Sequence, residues 1–451
     1  MKCIVSFLLV VLAGATHAYA EPSAPLWSDP EESVPLYGLV DLCRIGLRSA
    51  EPVRISEEEV FIAEREKEKS RAALLPALTA FGQYTRYSEE KSAASSFGSM
   101  AIQPESALSW GMRLSQSFSL GGKEVTALKI AKKGIEFRRY DLYAIREEYV
   151  LKIAESFYGV LKAKKGVDIA KANVARLEKY RDEANLRLRV GEVSKTAVLR
   201  AEGELSGARA ELIRAENILS LAKATLARVA GIEGPYDVEE TGAEGALAAP
   251  AIPDSLESLK QRAFSERADL VSAGIQKSAA EDRIRGARSA YWPALSFEGV
   301  FLKRDEEPSS SFFVGESIYG LFRIDVPLFE GGLRQAEVRV SEARKRQAEW
   351  LYDDLKKTIS VEVDAAYLDL RTQAGILASL EDQLRFAREN FDAVSKQFAA
   401  GLASSIDVID ANTLLVDSER QLSRAQYDYR IAVLRLKRAT GTLLKMVDGM
   451  R

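Results

Sequence analysis

The chain has 451 residues, with 63 lysines and arginines against 66 aspartates and glutamates, for a formal net charge of −3. A near-balanced charge with no concentrated basic run excludes nucleic acid as a partner. The length accommodates two or three ordinary domains, and one histidine and two cysteines leave little material for metal or nucleophilic chemistry.

The first stretch, "MKCIVSFLLVVLAGATHAYA", has a lysine, an apolar run of about a dozen residues and small residues at Ala18 and Ala20. It predicts a secretory signal peptide over residues 1–20, cleaved after Ala20. The apolar run is too short to span a bilayer. "LAG" at Leu12–Gly14 leads into Ala15 and not a cysteine, so no N-terminal lipid is expected. Cleavage removes His17 and Cys3 and leaves Cys43 alone. A chain without histidine and with one cysteine excludes a Ser-His-Asp triad, an internal disulfide, and any metal site built on histidine or several cysteines. No carboxylate pair is singled out by the pattern. The expectation is a non-enzyme with no cofactor and no metal. No later run of 18 apolar residues predicts a membrane-spanning helix.

Two segments with period 2 come next. "PALTAFGQYTRYS" starts at Pro76 and "ALSWGMRLSQSFSL" at Ala107. In the second, Leu108, Trp110, Met112 and Leu114 alternate with Ser109, Gly111, Arg113 and Ser115. Strands of ~10 residues alternating in this way carry the signature of a membrane barrel. Between them "EEKSAASSFGSMAIQPES" is expected to form a polar loop. From Gly121 onward the period becomes helical, and no proline lies between Pro104 and Pro235 to interrupt it.

The whole pattern then recurs 210 residues later. Gly121 and Gly122 fall on Gly331 and Gly332, Gly191 on Gly401, and Gly231 on Gly441. Leu142, Ile145, Tyr149, Ile153, Phe157 and Val160 stand over Tyr352, Leu355, Ile359, Val363, Tyr367 and Leu370. "PALSFEGVFLKR" from Pro293 and "SIYGLFRIDVPLF" from Ser317 supply the second pair of strands, joined through "DEEPSSSFFVGE". Pro76 to Gly121 is 45 residues and Pro293 to Gly331 is 38, and the difference of 7 is assigned to the first hairpin. Helices of ~70 residues reach ~105 Å, too long for a globular domain. Gly191 and Gly401 mark reversals, with Ser194 and Ser404 as N-caps of the return helices, about Lys195 to Ala230 and Ser405 to Thr440. Four strands cannot close a barrel in lipid, so two chains (eight strands) or three (twelve) must share one.

"RADLVSAGIQKSAAEDRIRGARSAYWPALSF" (Arg267 to Phe297), "VPLFEGGLRQAEV" (Val326 to Val338) and "GLASSIDVIDA" (Gly401 to Ala411) resemble the TolC-like outer-membrane efflux family, and the likeness runs from about Leu39 to Gly441. The resemblance implies a mostly α fold with a membrane β-barrel. Long antiparallel helical hairpins form a periplasmic α-barrel, and four β-strands per chain complete a 12-stranded barrel in a homotrimer. It implies a cell outer membrane location extending into the periplasm, contact with outer membrane lipid, a periplasmic adaptor (membrane fusion) protein, and an inner-membrane RND, ABC or MFS transporter. The domains expected are the signal peptide 1–20, a first repeat 21–231, a linker 232–258 lying against the tunnel's outside near mid-height, a second repeat 259–441 and a tail 442–451.

By the same resemblance the reversals are tunnel tips where adaptor hairpins dock, through Val190, Gly191, Ser194, Gly401 and Ser404. The family often carries an aspartate at the first tip and an arginine and a tyrosine at the second. Ala197, Ala403 and Phe398 stand here instead. Asp407 and Asp410 match the family. Asp407, three residues after Ser404, suits a capping box and the helix dipole. Asp410 lies one turn on, and three chains around an axis turn the pair into stacked carboxylate rings that draw in cations at a pore constriction. The reading is an outer-membrane exit duct of a tripartite efflux pump. The alternatives are the outer-membrane component of a type I protein secretion system and a non-channel periplasmic coiled-coil scaffold.

Overall fold

The computed structural model describes residues 34–95, 98–239, 255–309 and 313–449. The predicted signal peptide, the end of the tail, most of the linker and part of the second hairpin loop lie outside the described residues. A two-residue strand β1 (Leu36–Tyr37) precedes helices α1 (Leu39–Ser49) and α2 (Glu51–Ala72). Strands β2 (Ala77–Arg86), β3 (Lys91–Ser95), β4 (Gly98–Gln103) and β5 (Ser106–Ser119) follow. Then come the long helix α3 (Lys123–Arg189), its return α4 (Lys195–Ala230) and β6 (Asp237–Val238). The second half runs α5 (Leu256–Glu266), α6 (Ala268–Arg288), β7 (Ala294–Glu307), β8 (Glu316–Asp325), α7 (Leu333–Ala399), α8 (Ser405–Ala439) and α9 (Leu443–Gly449).

Helices α3 and α7 each have 67 residues, and each starts and ends 210 positions from the other. At 1.5 Å per residue each is about 100 Å long. Both reversals close in one way. Glu192 N–H bonds to Arg187 O at 2.9 Å and Leu402 N–H to Gln397 O at 2.8 Å, six-residue closures around Gly191 (φ 83°) and Gly401 (φ 75°). A positive φ at these positions is the left-handed conformation, which only glycine adopts without strain.

One four-stranded antiparallel sheet has the order β2-β5-β7-β8. The helices attached to these strands follow the same order, since α3 packs on α2 and α6, and α6 packs on α7. The hairpins α3–α4 and α7–α8 hang below, joined by contacts of α3 with α8. The stretch expected to be a polar loop differs from that expectation. Lys91–Ser95 pairs antiparallel with Gly98–Gln103, so the long excursion satisfies its backbone groups within itself.

The main core lies at mid-height, where Leu42, Val53, Ile153, Phe157, Tyr158, Leu226, Ile359, Leu370, Leu434 and Leu443 are fully or nearly fully buried, together with Cys43. Toward the turns it thins to small clusters, such as Tyr180, Ala201, Phe398, Val408 and Ile409. The described part of the linker sits against α3 and α4. There Tyr236 is buried, and Asp237 accepts from Lys164 and Lys223, each at 3.0 Å. Partial burial pushes the Asp237 carboxyl up, but the two lysines and the Val238 N–H outweigh it and hold its pKa at about 2. A depressed pKa stabilises the fold above the unfolded value and is lost as pH falls through the folded one. After discounting for partial exposure this is worth on the order of 1 kcal/mol.

Two outcomes follow for stability. Asp237→Asn should flatten the loss of stability between about pH 4 and pH 2 and lower it by on the order of 1 kcal/mol at pH 7, read from denaturant unfolding in detergent across that range. Gly401→Val should cost on the order of 1 kcal/mol or more by calorimetry, and entirely through the backbone, because a Cβ at Gly401 meets nothing within 4 Å.

Candidate functional site: a two-faced sheet and a paired tip

The register of the sheet sorts its side chains into two faces. Leu78 lies opposite Leu114, Ala80 opposite Met112, and Tyr84 opposite Leu108. Continuing on that face, Met112 faces Phe301, which faces Ile318, and Phe297 faces Phe322 at a ring separation of 4.8 Å. The other face carries Thr79, Gln83, Ser109, Arg113, Ser115, Ser117, Ser296, Glu298, Ser317 and Arg323. An ion pair joins Arg113 and Glu298 at 2.9 Å on this polar face. Phe322 is 73% exposed and Ile318 79%, so within one chain the apolar face has no cover. Phe81, Val300, Leu302, Tyr319 and Leu321 also fall on the second face and Lys303 on the first, so the sheet is mainly apolar on one face and mainly polar on the other, which fits lipid on one side and water on the other. Among the described residues no helix is long and apolar enough to cross a membrane.

The edges of the chain are unfinished in the same way. Among the described residues β2 and β8 have no outer neighbour in the sheet. Beneath β8, α7 buries seven residues where α3 buries seventeen. Val340, Leu351, Val361, Leu368 and Ile376 stay exposed along α7, at spacings that keep them on one helical face. The opposite edge leaves Ile55, Phe61, Leu199, Ile213 and Leu221 exposed on α2 and α4.

At the far end the structure brings both predicted turns together. Val190 is the C-cap of α3 and is 66% exposed, while Ser194 is the N-cap of α4 without a side-chain capping bond. Ser404 caps α8 reciprocally. Its Oγ accepts from Asp407 N–H at 3.4 Å, and Asp407 Oδ2 accepts from Ser404 N–H at 2.7 Å. The bonds from Ser404, side chain first and then backbone, hold the Asp407 carboxyl below its usual value. The first turn has Ala197 where Asp407 stands in the second, which is why only one turn has the box. Asp407 and Asp410 are both exposed and flank the buried Val408 and Ile409. A single chain contributes one such pair.

The sequence reading passed over Arg187 and Tyr180. Both reach from α3 to the second turn, Arg187 to the carbonyls of Phe398 and Ala399 and Tyr180 to that of Ser405. A cation in the last helical turn was the available signal, because such residues meet helix-terminal carbonyls. Among the described residues no group of three or more His, Cys, Asp or Glu side chains could hold a metal ion.

Comparison with known proteins converges on this architecture. The outer membrane efflux protein family matches residues 59–232 and 259–442, one block for each half of the chain. Outer membrane protein TolC of Vibrio cholerae is 25% identical over 378 residues, covering 83% of this chain and 84% of that protein. The alkaline protease secretion protein AprF of Pseudomonas aeruginosa is 24% identical over 306 residues, covering 66% of this chain and 62% of that one. Among solved structures, the outer membrane protein VceC of Vibrio cholerae superposes with a TM-score of 0.73 at 17% identity, over 89% of this chain and 96% of that one. With two family blocks spanning most of its length, this chain belongs to the outer membrane efflux protein family.

Proposed function

We propose that three copies of this chain assemble into the passive exit duct of a tripartite efflux pump. The observation that carries the proposal is the pair of unfinished edges. β2 with α2 and α4 ends the chain on one side, β8 with α7 ends it on the other, and both sides expose apolar helix surface. A surface whose left edge complements its right edge closes into a ring by rotation. Three copies give twelve strands and six long helical hairpins. The protein resides in the outer membrane and reaches into the periplasm, and transport, not catalysis, is its activity.

In this reading the first repeat runs over 21–231, the linker over 232–258 and the second repeat over 259–441. The turns at Val190, Gly191 and Ser194 and at Gly401 and Ser404 face the periplasmic adaptor, which hands over substrates from an inner-membrane transporter. Asp407 and Asp410 become two stacked rings of three carboxylates at the narrow end. Rings of like charge in a narrow mouth concentrate cations. The AprF likeness supports a second reading, in which a duct of the same build serves a protein-secretion transporter. The efflux reading is preferred because the family model that matches both repeats is that of outer membrane efflux proteins. A coiled-coil scaffold without a pore has no use for a two-faced sheet. Loss of the gene should raise susceptibility to small toxic compounds, and heat-modifiable trimers should appear in outer-membrane fractions. Unchanged susceptibility together with loss of a secreted protein would favour the second reading.

Two further outcomes test the parts. Met112→Arg, on the apolar face, should cost about 2–4 kcal/mol and abolish barrel insertion, whereas Ser109→Arg on the polar face should insert normally and alter only conductance. Outer-membrane fractionation and bilayer recording separate the two. Replacing Asp407 and Asp410 together with asparagine should leave trimers intact. It should remove cation preference and block by trivalent cations in single-channel recordings. Unchanged selectivity would leave Asp407 with its capping role alone.

A further inference from the structure

A groove of about 350 Å³ lies where α3, α4 and α8 meet, just past the main core. Gly159, Ala163 and Gly166 line it from one face of α3. A glycine inside a helix is costly unless it lets another element approach. Here none does, since a Cβ added at Gly159 or Gly166 meets no atom within 4 Å. Ile169, Ala215 and Ile218 complete an apolar wall. The second repeat does not reproduce it. The positions 210 residues after Gly159, Ala163 and Gly166 are Asp369, Gln373 and Ile376, so the same face of α7 carries larger side chains.

Two observations point to a ligand. Ser423 in the lining is 6% exposed, and its hydroxyl has no hydrogen-bond partner. Thr413 and Ser418 on the same helix bond instead to the carbonyl four residues back. The rim, moreover, is cationic. Lys162, Arg214, Arg420 and Arg424 line the groove against a single acid, Glu211. Glu211 pairs with Arg214 and, at 3.8 Å, with Arg420, while Lys162 pairs with Asp428 at 2.7 Å. Arg424 has no ion pair among the described residues. Orientation follows from the linker. Lys164 and Lys223, which hold Asp237, mark the side of α3 and α4 that carries it. At about 100° per residue, Lys162 and Gly166 stand about 200° round α3 from Lys164, and Arg214 about 180° round α4 from Lys223. With the linker on the outside of the tunnel, the groove opens on the lumen. We propose that it is a lumenal binding site for amphipathic anions, drug-sized molecules with an apolar body and one sulfonate or carboxylate head. The proposal deepens the trimeric-duct reading and rests on it for the lumenal placement. The body covers the bare face of α3. The head meets Arg424 in a charge-assisted bond, and the Ser423 hydroxyl supplies a further donor. The volume is that of a small-molecule site, and three chains give three grooves.

The test uses the full-length protein in planar bilayers, with 1-naphthalenesulfonate as the probe. It should block parental channels saturably. Gly166→Leu fills the groove, and leucine favours a helix over glycine, so the variant should fold and conduct but lose the block. Arg424→Gln should weaken block about tenfold, the loss of one charge-assisted bond. Any block by naphthyltrimethylammonium, the same body with a cationic head, should be indifferent to Gly166→Leu. Equal block of the parent and Gly166→Leu by the sulfonate would overturn the proposal. So would equal block by inorganic sulfate, because the apolar wall would then contribute nothing. Equilibrium dialysis of 1-naphthalenesulfonate against the purified protein reads the groove without a channel, and should find one site per chain that Gly166→Leu removes. If the parent forms no channel but keeps that site, the duct reading fails and the binding site stands. Dialysis without that site overturns the proposal whatever the channel does.

Discussion

The backbone of an edge strand cannot be left unpaired in hydrocarbon, where each unsatisfied group costs several kcal/mol. Everything else in this molecule depends on that constraint. Among the described residues the sheet has four strands, so in the proposed assembly β2 and β8 pair with other copies of the chain. Because the helices follow the strand order, closing the sheet through further copies, as proposed, would bring α7 of one copy toward α2 and α4 of the next. The exposed apolar residues on those helices are where such a seam needs them. The water-soluble half of the chain is therefore shaped by a requirement imposed in the lipid-embedded half.

The repeat solves the second problem, that of reach. A ring of helices about 100 Å long works only if all tips end at one height. Two helices of 67 residues, closed by equivalent glycine turns, meet that condition through their equal length. Equal length does not make the two tips equivalent. The second turn has a capping box and two exposed acids, while the first has Ala197 and lends Arg187 to its neighbour. One copy of the repeat holds and the other is held. Duplication followed by divergence of a few tip residues is enough to produce that division.

Much of this was legible in the sequence because periodicity and glycine placement are local properties. The change from period 2 to period 3.6, the 210-residue offset and the turns at Gly191 and Gly401 all follow from which backbone conformations those residues favour. The Asp407 cap was legible as well, since its partner Ser404 is three residues away. The first hairpin was read less well. The segment around Lys91–Ser95 looks like a polar loop because its residues are small and polar, yet as a pair of strands it bonds to itself.

The sequence by itself determined the two long helices and their length, the two pairs of long strands, the sites of reversal, and the need for more than one chain. The tertiary structure alone decided which residues meet across elements. Arg187 and Phe398 are 211 positions apart and Arg113 and Glu298 are 185 apart, and neither pair shares a helical turn or a strand. Such contacts depend on the register between α3 and the end of α7 and between β5 and β7. Register is set by the packing of whole faces, so no local pattern in the chain encodes it.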